Sequence, residues 1–275
     1  MARFGCSLVL FVAGGLLAQS DWKSSIRGDH PRLFFNKNTW PAVKARALGE
    51  EAALLAAMRT RVEQRASEPL ESRDYGVEAA EAAFVFLVSG DANHRDLARN
   101  LLARSIEFYN ECYRQKKTVN WYTFSRINAW AAYDWLFEHL APADRARLGS
   151  EFLTAVRDVQ PTKARRAFDR ENWGSYSSGF YSTPSLLWYS GLATYKEGIN
   201  DELAERHLTE GYEQFMKLLA FRRNAAADDG GSASGALNYC LAAYPWAEFN
   251  FFHTYESATG KDIAREWPYV AYLPA

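Results

Sequence analysis

The chain has little cysteine, little net charge, and no long apolar run beyond its first twenty residues. Three cysteines in 275 residues exclude the disulfide-dense scaffolds of small secreted domains. A formal net charge of −1, without any block of like charge, argues against nucleic acid as a partner. It leaves room for an acidic polymer, because a cleft can be locally basic. His94, His139, His207 and His253 are scattered without an HxxxH spacing, so no metal site is expected of them, and no cofactor is implied. His253, among Phe249, Phe251, Phe252 and Tyr255, reads as a packed side chain. A Gly-x-Ser-x-Gly elbow, a P-loop and a dinucleotide fingerprint are all missing. So is strand-like alternation, which points to an all-α fold.

What is present starts with a secretory signal over residues 1–20. Arg3 supplies the positive end, and Leu8 to Leu17 is too short to span a bilayer. Ala18-Gln19-Ser20 has the small residues of a cleavage site, so the mature chain is expected to start near Asp21. An uncleaved anchor is the other reading. Cleavage implies a periplasmic or secreted protein with no stable membrane insertion. Cys6 leaves with the signal; Cys112 and Cys240 then either pair or remain buried thiols.

Residues 21–275 read as one domain of successive helices. Asn38 or Thr39 can cap a first helix that holds Pro41 in its first turn and runs to Ser67, with Val43, Ala47, Leu54, Leu55, Met58 and Val62 inward. Further helices are expected over Tyr75–Val88, His94–Tyr113, Ser125–Leu140, Arg145–Val159, Tyr176–Tyr195, Asp201–Phe221 and Leu237–Thr259. Pro184 and Pro245 are expected to kink two of them. Asp262 to Ala275 looks like the opening of a ninth, with Trp267 and Tyr269 unpaired. Short turns between helices imply antiparallel neighbours. The absence of a fixed repeat disfavours a solenoid and leaves a helical toroid, with a cleft at one end of its inner helices.

Two polar stretches interrupt the helices: Glu171 to Ser175, and Asp228 to Tyr239 with Gly230, Gly231 and Gly235. The second is either an active-site rim that delivers Tyr239 or a plain connector. Trp173 and Trp121 lie in polar loops and are the aromatics most suited to stack on a sugar ring.

Four segments together resemble the heparinase II/III-like polysaccharide lyases and the related alginate and uronate lyases. They are His30-Pro31-Arg32-Leu33-Phe34-Phe35; Ala132-Tyr133-Asp134-Trp135-Leu136-Phe137 with Leu140 to Arg145; Asn172-Trp173-Gly174; and Asp229-Gly230 with Tyr239. The resemblance implies an incomplete (α/α) toroid of antiparallel hairpins, without the β-sandwich that usually follows in that family and brings a histidine and, in some members, a zinc. A product truncated at Ala275 is therefore expected. Trp173 stands where some members have histidine, and Ser234 where many have glutamate.

The implied reaction is β-elimination on an acidic polysaccharide or oligosaccharide, glycosaminoglycan or alginate being examples. Asn172 would donate to the uronate carboxylate, so that charge can build up as the C5 proton leaves. Tyr239 would serve as base and acid, which near neutral pH requires a cationic or hydrogen-bonding environment. Arg170 and Arg126 are the cationic candidates, Trp173 and Trp121 the stacking ones, and Tyr244 the alternative tyrosine. Two other functions compete. A glycoside hydrolase would need facing carboxylates, from Asp228 and Asp229 with Glu171 or Asp169. A non-catalytic glycan-binding toroid would need neither.

Overall fold

The computed structural model describes residues 22–115, 117, 119, 123–156, 183–226 and 244–272. Among these the regular elements are all helical. They are α1 (Trp40–Leu48), α2 (Ala52–Ala66), α3 (Gly76–Ser89), α4 (Ala92–Arg114), α5 (Phe124–Leu136), α6 (Pro142–Val156), α7 (Thr183–Thr194), α8 (Asp201–Ala226) and α9 (Tyr244–Thr259). No helix among the described residues is long and apolar enough to cross a membrane.

Local signals account for most boundaries. Asp91 accepts from the Asn93 amide and starts α4, while Gly90 ends α3 with φ 75°. The expected single first helix is instead two, because Gly49 closes α1 and α2 begins three residues later, at Ala52. The apolar stripe does not run through the break: Leu55 and Val62 are buried, whereas Leu54 is 65% exposed. Asn38 and Thr39 do not cap α1 with their side chains. Asn36 Oδ1 accepts from both of their amides instead, at 2.9 and 3.1 Å. Pro184 and Pro245 each stand one residue inside the described part of their helices, and the residues before Thr183 and Tyr244, on which the expected kinks depend, lie outside the described residues. Past Asp262 the chain makes two 3-10 turns, Ile263–Glu266 and Pro268–Tyr272, in place of the further helix expected there.

Alternate helices run in the same direction. In α3 and α5, Gly76 lies against Ser125 and the Phe84 ring is 6.0 Å from Trp135. In α4 and α6, Arg99 faces Asp144 and Asn110 donates to the Glu151 carbonyl. Neighbours are antiparallel: Trp130 stacks on Phe152 at 3.9 Å, and the Tyr133 hydroxyl donates to the Arg145 carbonyl. α7 crosses α8 closely. A Cβ on Gly211 would lie 2.2 Å from the Trp188 nitrogen, and one on Gly191 would lie 2.3 Å from that of Leu208. Two glycines thus let the backbones touch. Farther along the chain, α8 meets α9 through Phe215 and Phe251, 4.4 Å apart.

The segment before α1 is clasped at the end of the array where α5 and α7 finish. His30 stacks on Phe137 at 3.7 Å, with Nδ1 2.6 Å from Asp134 and Nε2 3.1 Å from Glu197. Asp134 also accepts from the amides of Arg32 and Leu33, both at 2.8 Å. Arg32 donates to the Leu192 and Tyr195 carbonyls, at the last turn of α7, and pairs with Glu197. Trp135 donates to the Leu33 carbonyl. Two of the four sequence segments singled out above therefore pack directly on each other. Trp22 packs among α7, α8 and α9, stacked on Tyr212 at 4.3 Å and near Trp188 and Tyr255.

Candidate functional site

The opposite end is where α3, α5 and α9 begin. Asp74, ahead of α3, organises it. Its Oδ1 accepts from the Gly76 amide at 3.0 Å, the Ser125 hydroxyl at 2.7 Å and the Tyr109 phenol at 2.5 Å. One carboxylate oxygen thus ties together the starts of α3 and α5 and the later part of α4. A Cβ on Gly76 would fall 2.0 Å from the Ser125 carbonyl oxygen, so this junction requires glycine.

Arg126, in the first turn of α5, is buried beside this knot. Burial lowers its pKa, and the charge of Asp74 opposes that shift. Burial, followed by the Asp74 charge, pushes the Tyr109 phenol well above its ordinary value. Tyr109 is therefore a neutral donor at physiological pH, not a base. Cys112 is a buried free thiol whose pKa is also raised by burial.

Two aromatic residues extend the site towards α9. Phe124 is 46% exposed and its ring lies 5.6 Å from that of Trp246. Two residues beyond Trp246 is Glu248, buried on α9. It accepts from Arg222 Nε at 2.8 Å and from the Tyr269 phenol at 3.3 Å. Burial raises Glu248 to about 7, against the charge and hydrogen bond of Arg222. The carboxyl is fully buried between Arg222 and Tyr269, so the shift belongs to a desolvated ion pair. Tyr269 and Trp267, expected to be unpaired, are engaged: Tyr269 through Glu248, and Trp267 beneath the Arg223 guanidinium at 5.4 Å.

Of the residues expected to form the site, Arg126 is placed at this end. Tyr244 is the first described residue of α9. Asn172, Tyr239, Trp173, Trp121, Arg170 and Cys240 lie outside the described residues. The described residues that flank them, Arg114, Phe124, Val156, Thr183, Ala226 and Tyr244, follow the alternation to this same end. The knot of Asp74, Tyr109 and Ser125 was not anticipated, nor was Glu248 with Arg222 and Tyr269. Glu248 did leave a trace in the sequence, as the lone acid of the aromatic run from Tyr244 to Tyr255. His253, expected to be packed, is exposed. No group of acidic, histidine and cysteine side chains suited to a metal ion occurs among the described residues.

No family model matches the chain, and no curated protein matches it.

Proposed function

We propose that the helices form an (α/α) toroid, and that the chain is a secreted or periplasmic lyase that cleaves a uronic-acid-containing glycan by β-elimination. The observation that carries this reading is the buried Arg126, set beside Tyr109 and Asp74 at the end of the array where the segments bearing Asn172 and Tyr239 are attached. A buried cation there gives positive potential to that end, which an acidic polymer needs. The exposed Phe124 and neighbouring Trp246 offer an aromatic ledge for sugar rings. In the reaction, Asn172 donates to the substrate carboxylate and Tyr239 removes the C5 proton. The C4–O bond breaks as the C4–C5 double bond forms, and the proton passes to the departing oxygen. Trp173, Trp121, Arg170 and Tyr244 would hold the chain of sugars.

A second reading is a glycoside hydrolase, whose facing carboxylates would come from Asp228 and Asp229 with Glu171 or Asp169. One experiment separates the two. The protein is incubated with heparan sulfate, hyaluronan, alginate and pectate, while ultraviolet absorbance of unsaturated uronate and new reducing ends are both followed. The lyase produces both signals, and Tyr239→Phe and Asn172→Ala abolish them. Reducing ends without the absorbance identify a hydrolase. Binding with neither signal identifies a glycan-binding module.

A further inference from the structure

At the far end of the array, a cavity of about 670 Å³ opens between the segment before α1 and the last turns of α9. Its walls include Arg27, Phe34, Asn38, His253, Glu256 and Ser257. Phe34 has φ 67°, and the Phe35 amide donates to the Leu33 carbonyl at 2.9 Å across it. This is a γ-turn of the positive-φ kind, rare and strained for a bulky side chain. Leu33 and Phe35 are buried on either side, while the turn brings Phe34 to the cavity wall. The Phe34 ring also lies 6.4 Å from that of Tyr189 and packs on the core, which holds the strained turn in place.

The polar groups narrow the ligand. Arg27 is already paired with Asp29 through Nε and Nη2. Glu256 is exposed and forms no ion pair among the described residues. Asn38 is exposed and its side-chain amide makes no hydrogen bond there. The cavity thus offers an unengaged acceptor, an unengaged amide, the imidazole of His253 and an aromatic ring, but no spare fixed cation. A carboxylate without a cation accepts well from vicinal hydroxyls and repels an acidic sugar.

We propose that this cavity is a binding site for a neutral saccharide, whose ring packs its C–H face on Phe34 while its hydroxyls bond to Glu256 and Asn38. The site is remote from Arg126 and does not depend on the proposed lyase activity. Pockets of this size accommodate small hydroxylated ligands.

The test is ligand-observed saturation-transfer NMR and titration with methyl β-D-glucopyranoside, methyl β-D-galactopyranoside and N-acetylglucosamine, with glucuronic acid for comparison. At least one neutral sugar is expected to bind, and glucuronic acid more weakly than it. Phe34→Gly suits the positive φ, so circular dichroism is expected to remain native while binding weakens by about tenfold. Glu256→Gln alters only an exposed side chain and is expected to weaken binding by about fivefold. The proposal is overturned if no neutral sugar receives saturation, if binding survives both variants undiminished, or if glucuronic acid binds tighter than the neutral sugars.

Discussion

The Glu248 carboxylate accepts a 2.8 Å hydrogen bond from Arg222, yet burial holds its pKa at about 7. The ion pair lowers the value, but desolvation is the larger effect. In the unfolded chain the same group titrates near 4.5. Between these values the folded state binds more protons than the unfolded state. Stability contributed by this group is therefore fully present below the unfolded value and falls as pH rises through the folded one. Glu248→Gln is expected to flatten the decline in melting temperature between about pH 5 and 8. An unchanged slope, measured by calorimetry, would show that Glu248 is ionised throughout.

His30 makes a second contribution of the same sign. Burial alone would lower its pKa, but the hydrogen bonds to Asp134 and Glu197 outweigh that and raise it. Its stabilisation is complete below the ordinary histidine value and is lost as pH rises through the raised one. Glu197 works in the opposite direction. Burial would raise it, but His30 and Arg32 hold it below the usual carboxylate range. Its contribution is lost in acid. His30→Ala leaves two carboxylates facing a vacated buried position and is expected to cost about 3 kcal/mol at pH 6 and less at pH 9. Urea denaturation at the two pH values measures the difference.

Gly211→Ala tests the α7–α8 crossing. The added methyl group would meet the Trp188 backbone at 2.2 Å, and backbone cannot rotate away as a side chain can. A loss of about 2 kcal/mol or more is expected, read from chemical denaturation. An equal effect from Gly198→Ala is not expected from crowding, since nothing lies within 4 Å of that position, although its φ of 70° carries strain of its own.

Arg126→Met tests the candidate site. Losing the buried cation is expected to lower kcat/KM for an acidic glycan by at least about a hundredfold, with helical circular dichroism retained. Arg126→Lys keeps the charge but not the planar fork, and is expected to recover part of the loss. Activity indifferent to both would place the acidic substrate elsewhere.

Helix existence was legible from local chemistry. Asp91 and Gly90 mark the junction of α3 and α4 through their own backbone and side-chain bonds. Pro41 marks the start of α1 in the same way. Where a decision depended on what lay opposite, the local pattern failed. Leu54 belongs to the apolar stripe by spacing, but the break at Gly49 turns it to solvent.

The site divides along the same line. Arg126 was legible as a cation at the start of a helix, but its charge environment comes from Asp74, ahead of another helix. His30 and Asp134 were visible in two separate motifs, yet their contact spans 104 residues. Sequence by itself determined the helical class and the places where the chain turns, because caps, prolines and periodicity act within a few residues. Only the tertiary structure decided which helices share a direction, which acid titrates near neutrality, and which aromatic ring lines a cavity. Burial and pairing are properties of neighbours that the chain brings together from far apart, and no local pattern records them.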